Sequence, residues 1–293
     1  MKSATIAARE FRGLFVERRL WVAAAAIGLL VPSLSGPHDE VVRAAMGPAL
    51  AVAVFQGPVY LLGGLTACLL TYRAVVEERE NGRMKLLLGL SAGRRDVVIG
   101  KYIGRTAVLV ALFVVPAVFG SVVGFVRSGG VTPVRLALFA LASTLYLGAI
   151  AGIGVGASMA VASGVRSAAL TFGAYLWFFL FWDDTVETAY AALAGGTADP
   201  AASPLYFFLV RLAPLQAFQA LSNAVLGAGT AVGSYRFAVR ALSGGRGTNL
   251  HVAEATLDAI PFYFRGWFSA FVLLAWACLP LLIGFLRFRR TDL

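Results

Sequence analysis

An all-α integral membrane protein with six transmembrane helices is the fold this sequence predicts, on three observations. Its mean hydropathy is +0.79, only 14% of its 293 residues are charged, and its apolar residues gather into six runs near the roughly 20 residues a helix needs to cross a bilayer. Soluble domains carry about a quarter charged residues, so 1–293 is read as a single transmembrane domain. The net charge of +10 and pI near 10.1 would suggest nucleic acid if the arginines shared one water-facing patch. They lie between the apolar runs instead, so no nucleic-acid partner is expected. Cys68 and Cys278 fall inside apolar runs, as small buried hydrophobes do, and carry no information on redox compartment.

The elements follow in order. Residues 1–19 hold Glu10, Glu17 and five basic residues without an apolar core, so no cleavable signal peptide is expected. Phe11, Leu14 and Phe15 recur at helical spacing among Arg12, Glu17, Arg18 and Arg19, which predicts an amphipathic interfacial helix leading into the bilayer. The six spans are expected at 20–35, 47–72, 104–126, 136–162, 167–182 and 266–286, with a polar loop at 73–103 and a long outer segment at 183–265. Within that segment "PLYFFLVRLAPLQAFQALSNAVLG" is apolar but interrupted by Arg211 and Pro214, so two short helices are expected there and not a seventh span.

Charge sets the orientation. With the N terminus inside, 17 of the 25 basic residues fall on the cytoplasmic side, and most of the other eight lie in the long outer segment, where positive charge has little topological effect. Both termini are therefore expected in the cytoplasm, and the protein in the plasma membrane as a multi-pass chain.

Inside the spans, Gly120 and Gly124, and then Gly148, Gly152 and Gly156, form small-xxx-small steps that allow helices to approach closely. "FQGPVY" sets Gln56 and Gly57 before Pro58, a combination expected to kink the second span. A kinked helix bearing a polar residue often lines a cavity. Gln56, Gly57, Pro58 and Tyr60, with Tyr175 of the aromatic fifth span, are the candidates for a translocation path at a dimer axis.

The polar loop "ERENGRMKLLLGLSAGRRDVVIGK" carries the most specific signal. Met84, Leu87 and Leu88 share one helical face with Leu86 beside them, and flanking charges of both signs suit a protein groove better than an anionic membrane. The stretch resembles the loop between the second and third spans of type-2 ATP-binding-cassette (ABC) transporter permeases, the copper-enzyme-maturation-like permeases among them. Their pattern is an E-x-E-x-G, a leucine run, a Pro-x-Ser-Arg turn and a Gly-Lys opening the third helix. Glu78, Glu80, Gly82, Leu86, Leu87, Leu88, Arg94, Gly100 and Lys101 fall on it, while Ser91 and Gly93 replace the usual proline and serine. The resemblance implies a cytoplasmic coupling helix docked on an ABC ATPase subunit. Its residues would be Glu78, Glu80, Gly82, Met84, Leu86, Leu87, Leu88, Arg94, Arg95 and Lys101. It also implies a homodimer, or a pairing with a homologous permease. Asp96 opposes the helix dipole at the start of the third span, with Gly93 as its cap.

What the chain lacks narrows the mechanism. No G-x-x-x-x-G-K-[ST] loop occurs, so ATP and Mg are expected on a separate subunit and no cofactor in this chain. No charged residue falls in the middle of an expected span, which argues against a proton relay. An intramembrane enzyme would need a cluster of catalytic or metal-binding side chains. "EERENGR" puts Gly82 where the E-E-x-x-x-R of CAAX-type proteases has arginine, and His38 and His251 lie in outer loops. A non-transporting membrane scaffold or sensor linked to the same ATPase is the other alternative.

Overall fold

The computed structural model describes residues 2–17, 21–22, 50–82, 84, 93–128, 133–194, 203–227 and 261–290. All but residues 21–22 of the span expected at 20–35, and the leucines Leu86, Leu87 and Leu88, lie outside these. Among the described residues the fold is all-helical. In chain order it comprises α1 (Lys2–Phe15), α2 (Gln56–Glu80), α3 (Arg94–Val122), α4 (Pro133–Ala160), α5 (Gly164–Leu193), the short α6 (Pro204–Val210) and α7 (Pro214–Leu226), and α8 (Gly266–Arg289). Five of these are long and apolar enough to cross a membrane, and α6 and α7 form a pair bent by 105°. The polar loop lies at one end of the bundle and the bent pair toward the other; these are called here the loop end and the far end.

Helix α4 is the centre. It packs against α2, α3, α5, α7 and α8, and its glycines set the distance to α8. A Cβ on Gly152 would stand 2.5 Å from the carbonyl oxygen of Ala277, and Gly156 meets the backbone of Pro280 and Gly284 just as closely. The tandem glycines are thus a backbone-to-backbone seam. Gly120 faces the ring of Phe55, and Gly148 the hydroxyl of Tyr102.

The kink expected in α2 is a change of hydrogen-bond register. Pro58 has no N–H, and the next residues, Val59–Gly63, form a π-helical turn. Two tyrosines meet the carbonyls at this turn. Tyr146 of α4 donates to the Tyr60 carbonyl at 2.8 Å, and Tyr175 of α5 donates to the Tyr60 and Leu61 carbonyls at 3.0 Å each. Similar π turns interrupt α3 at Val110–Val114 and α5 at Trp177–Phe181.

Helix α5 runs to Leu193, well past the end expected at 182. Asp183, Asp184 and Glu187 lower the local hydropathy, but no helix-breaking residue accompanies them. The residues read as the start of the outer segment are therefore helix. In the bent pair, the break falls at Arg211–Ala213, where both expected interruptions act. The indole of Trp182 donates to the Val210 carbonyl at 3.1 Å and that of Trp276 to the Leu212 carbonyl at 2.8 Å. Arg211 is buried, donates to the Tyr263 carbonyl at 3.2 Å and stands over the Phe264 ring.

The α4–α8 seam makes the first prediction. Gly152→Leu should lower the thermal midpoint of the detergent-solubilised protein by several degrees, since forcing methylenes into a packed site costs about 1–3 kcal/mol. Gly173→Ala, where an added Cβ meets nothing within 4 Å, should leave it unchanged. Fluorescence-detected size exclusion after heating reads both, and an unshifted Gly152→Leu midpoint would disprove the seam.

Candidate functional site

The polar loop is held at both stems. In the incoming stem the helix unwinds between Thr71 and Val76, and Ser158 of α4 accepts the backbone N–H groups of Val75 at 2.9 Å and Val76 at 3.0 Å. Ser167 of α5 donates to the Tyr72 carbonyl. The helix resumes over Val76–Glu80 and ends at Gly82, whose φ of 68° lies in the left-handed region that glycine occupies without strain. The acids before it divide their partners. Glu78 pairs with Lys101 at 2.7 Å. Glu80 accepts the N–H of Gly164 at 2.9 Å, where a carboxylate complements the N-terminal dipole of α5. Its other oxygen lies 3.7 Å from Arg73, an exposed pair of little energetic weight. Arg79 donates to the Val161 carbonyl just after α4. Together Arg79 and Glu80 hold the α4–α5 turn.

The outgoing stem opens α3. The Gly93 N–H donates to the Asp96 carboxylate at 3.2 Å, so the cap works without the family's usual serine. Arg94 donates to the last carbonyls of α8, Phe288 at 2.8 Å and Arg289 at 3.0 Å. Arg94 and Arg79 both stand over the Phe288 ring, at 5.3 and 6.0 Å, and Arg95 lies over Phe285 at 5.9 Å. Beneath the stems is an apolar nucleus in which Met84 and Phe288 are buried with Val75, Val97, Val155 and Met159. The Met84 side chain, expected on a docking face, is thus part of the permease's own core.

A further acid completes the site. Lys101 is only 2% exposed and pairs with Glu10 of α1 at 2.9 Å as well as with Glu78. Arg105 also reaches Glu10, at 3.1 Å, and donates to the Leu70 carbonyl. Burial alone would raise the Glu10 carboxyl, but the charges of Lys101 and Arg105 outweigh it and hold the group below its ordinary value of 4.5. Helix α1 lies along α3 at Gly100 and Gly104, where added Cβ atoms would stand 2.7 Å from Ile6 and the Ala7 carbonyl. An acid on the face that also carries Ile6, Ala7 and Leu14 was the available sequence signal for Glu10. Phe288 and Ser158 had none, because their partners are remote in the chain.

Of the path candidates, Gln56 and Tyr175 lie in the packed interior of this one chain. Gln56 is buried and its amide donates to Asn223 Oδ1 at 3.0 Å, to the Gln219 carbonyl at 3.4 Å and to the Ser222 hydroxyl, all on α7. Tyr175 is buried against the α2 turn, while Gly57, Pro58 and Tyr60 are half-buried. Among the described residues no group of three or more His, Cys, Asp or Glu side chains is placed to hold a metal ion.

This is a polytopic helical membrane protein with a charged loop fastened to five of its helices. The chain matches the model of the ABC-2 family transporter protein over residues 4–293, and it belongs to that family. A comparison with curated proteins finds no match. The chain is accordingly a multi-pass permease component of an ABC transporter, a transport component not itself catalytic, and the family implies an ABC ATPase partner.

The Glu10 cluster gives a prediction with a defined sign. A lowered carboxyl contributes its full stabilisation above the ordinary carboxylate range and loses it as pH falls through the lowered value. The exchange protection factors of amides 2–15 should therefore fall as pH drops below the ordinary carboxylate range, and fall at neutral pH in Glu10→Gln. Lys101→Met strands Glu78 and should destabilise the protein by about 3 kcal/mol. Unaltered exchange in Glu10→Gln would mean that the ion pairs do not hold α1.

Proposed function

We propose that this chain is the transmembrane subunit of an ABC exporter in the plasma membrane, with both termini in the cytoplasm. A separate ATPase carrying ATP and Mg docks on the 82–92 segment. Two copies, or one with a homologous permease, enclose the path, and alternating access moves the cargo outward. The single observation that carries this reading is the fastening of the loop. Glu78, Arg79, Glu80, Arg94 and Lys101 tie its two stems to α1, α3, the α4–α5 turn and α8. A segment fixed at both roots to several spanning helices can move them when a partner pushes on it. A segment tethered loosely could not. Gly82 turns the chain sharply as it enters this segment.

Replacing Leu87 and Leu88 together with Asp should abolish co-purification of the cognate ATPase, because two carboxylates would be desolvated at a cost of several kcal/mol. Membrane insertion should be unchanged. Glu80→Gln keeps an acceptor for Gly164 but loses the charge at the α5 terminus, and should retain ATPase binding while cutting transport-coupled hydrolysis several-fold. Normal ATPase stimulation by the double Asp variant would reject the docking assignment.

The same reading makes transport depend on ATP and not on the proton gradient. In inverted vesicles at constant ATP, a protonophore should leave cargo accumulation largely intact. Collapse of accumulation would identify a gradient as the energy source.

A further inference from the structure

The contacts of α8 extend from the polar loop to the bent helix pair, and each part of that run is made differently. At the loop end, Arg94 donates to the Phe288 and Arg289 carbonyls. These are among the last carbonyls of a helix, where the negative end of its dipole attracts cations. Phe288 is fully buried and lies beneath arginines from both stems, Arg79 of the incoming one and Arg94 of the outgoing one. The tip of α8 is therefore held by the same two stems that flank the 82–92 segment.

The middle of α8 meets α4 differently. At Ala277, Pro280 and Gly284 the contact with Gly152 and Gly156 is backbone against backbone, with no large side chain interposed. Interlocking knobs resist axial movement, whereas a smooth seam of small residues permits packed helices to slide. Toward the far end α8 packs along α7, and Trp276, beside Ala277 in the middle of the helix, donates to the Leu212 carbonyl inside the bend of the α6–α7 pair. Just before α8, the Tyr263 carbonyl accepts from Arg211 and the Tyr263 hydroxyl donates to the Pro204 carbonyl. The bend is thus tied to α8 and to the turn that begins it. The stretch of α8 from Trp276 to Phe288 covers about 18 Å at 1.5 Å per residue, the reach of the link between the bend and the loop end.

We infer that α8 is a transmission rod that carries displacement of the polar loop to the α6–α7 pair, with Phe288 and Arg94 as positioning residues at its loop end and Trp276 near its middle. The inference rests on the docking reading above for what moves the loop. The mechanical link itself does not depend on that reading. Movement of the stems drags Phe288, α8 slides along the glycine seam, and Trp276 shifts the bend at Leu212. The bent pair responds to the state of the loop through α8.

The test uses the full chain in nanodiscs with Cys68 and Cys278 replaced and a single cysteine at Leu205, a 42%-exposed position on α6. With the cognate ATPase bound, ATP plus vanadate should change the maleimide labelling rate at Leu205→Cys several-fold. Phe288→Leu, which keeps apolar volume but removes the ring face, should erase that change while ATPase affinity stays the same, and Phe288→Tyr should restore it. A merely structural Phe288 would lower stability without separating binding from response. A full nucleotide response in Phe288→Leu overturns the rod, as does a wild-type complex that binds its ATPase yet shows no change at Leu205→Cys. If the ATPase does not bind the unaltered loop, the docking reading has failed, and the rod is decided by the permease alone. There Arg94→Gln should shift the Leu205→Cys labelling rate several-fold, and an unchanged rate overturns it.

Discussion

A backbone carbonyl released inside a bilayer finds no water, and the architecture of this protein follows from that constraint. Three of its helices are irregular where a plain span would be straight. At both breaks of α2 and at the α6–α7 bend, a side chain from another helix answers the freed group: Tyr146 and Tyr175 at the α2 turn, Ser158 where α2 unwinds, Trp182 and Trp276 at the α6–α7 bend. Those donors and acceptors stand on α4, α5 and α8. The bends and the helix packing are therefore one arrangement, since straightening a bend would orphan its partner and moving a neighbour would expose the bend.

Packing around α4 supplies the rest. Its glycine face admits α8 to backbone contact, and its Tyr146 donates to the α2 turn. The loop end adds a second, smaller apolar nucleus around Met84 and Phe288, enclosed by the ion pairs of Glu78, Lys101 and Glu10. Buried charge is costly unless matched, and here a lysine at 2% exposure has two carboxylates within 2.9 Å. The polar loop is thereby an integral part of the bundle at its roots.

Much of this was legible in sequence wherever the cause is local. Apolar run length marked the long helices, Pro58 marked the disturbed stretch of α2, the glycine spacing marked α4 as a closely packed helix without naming its partner, and Arg211 with Pro214 marked the break in the outer pair. Charge spacing from Glu78 to Lys101 marked the loop. Hydropathy misjudged α5, because Asp183, Asp184 and Glu187 lower the average without stopping a backbone that continues to Leu193. Met84 was assigned outward by helical periodicity, which gives a face but not the neighbour it meets. Glu10, Ser158 and Phe288 escaped because each acts on a residue roughly a hundred positions away or more along the chain, and only the fold brings such partners together.

The double pairing of Lys101 also bears on the order in which the chain assembles. Helix α1 leaves the ribosome long before Lys101 does, so Glu10 has neither Lys101 nor Arg105 to meet when it is made. Until α3 inserts, α1 must wait at the water-lipid boundary, where its charged face is tolerated. Once Lys101 arrives, Glu10 and Glu78 can neutralise it from two directions, and the N-terminal helix closes over a site that was built after it. Assembly of this protein then includes a late docking of α1, and the stems of the loop reach their finished geometry only when a segment made before them returns to them.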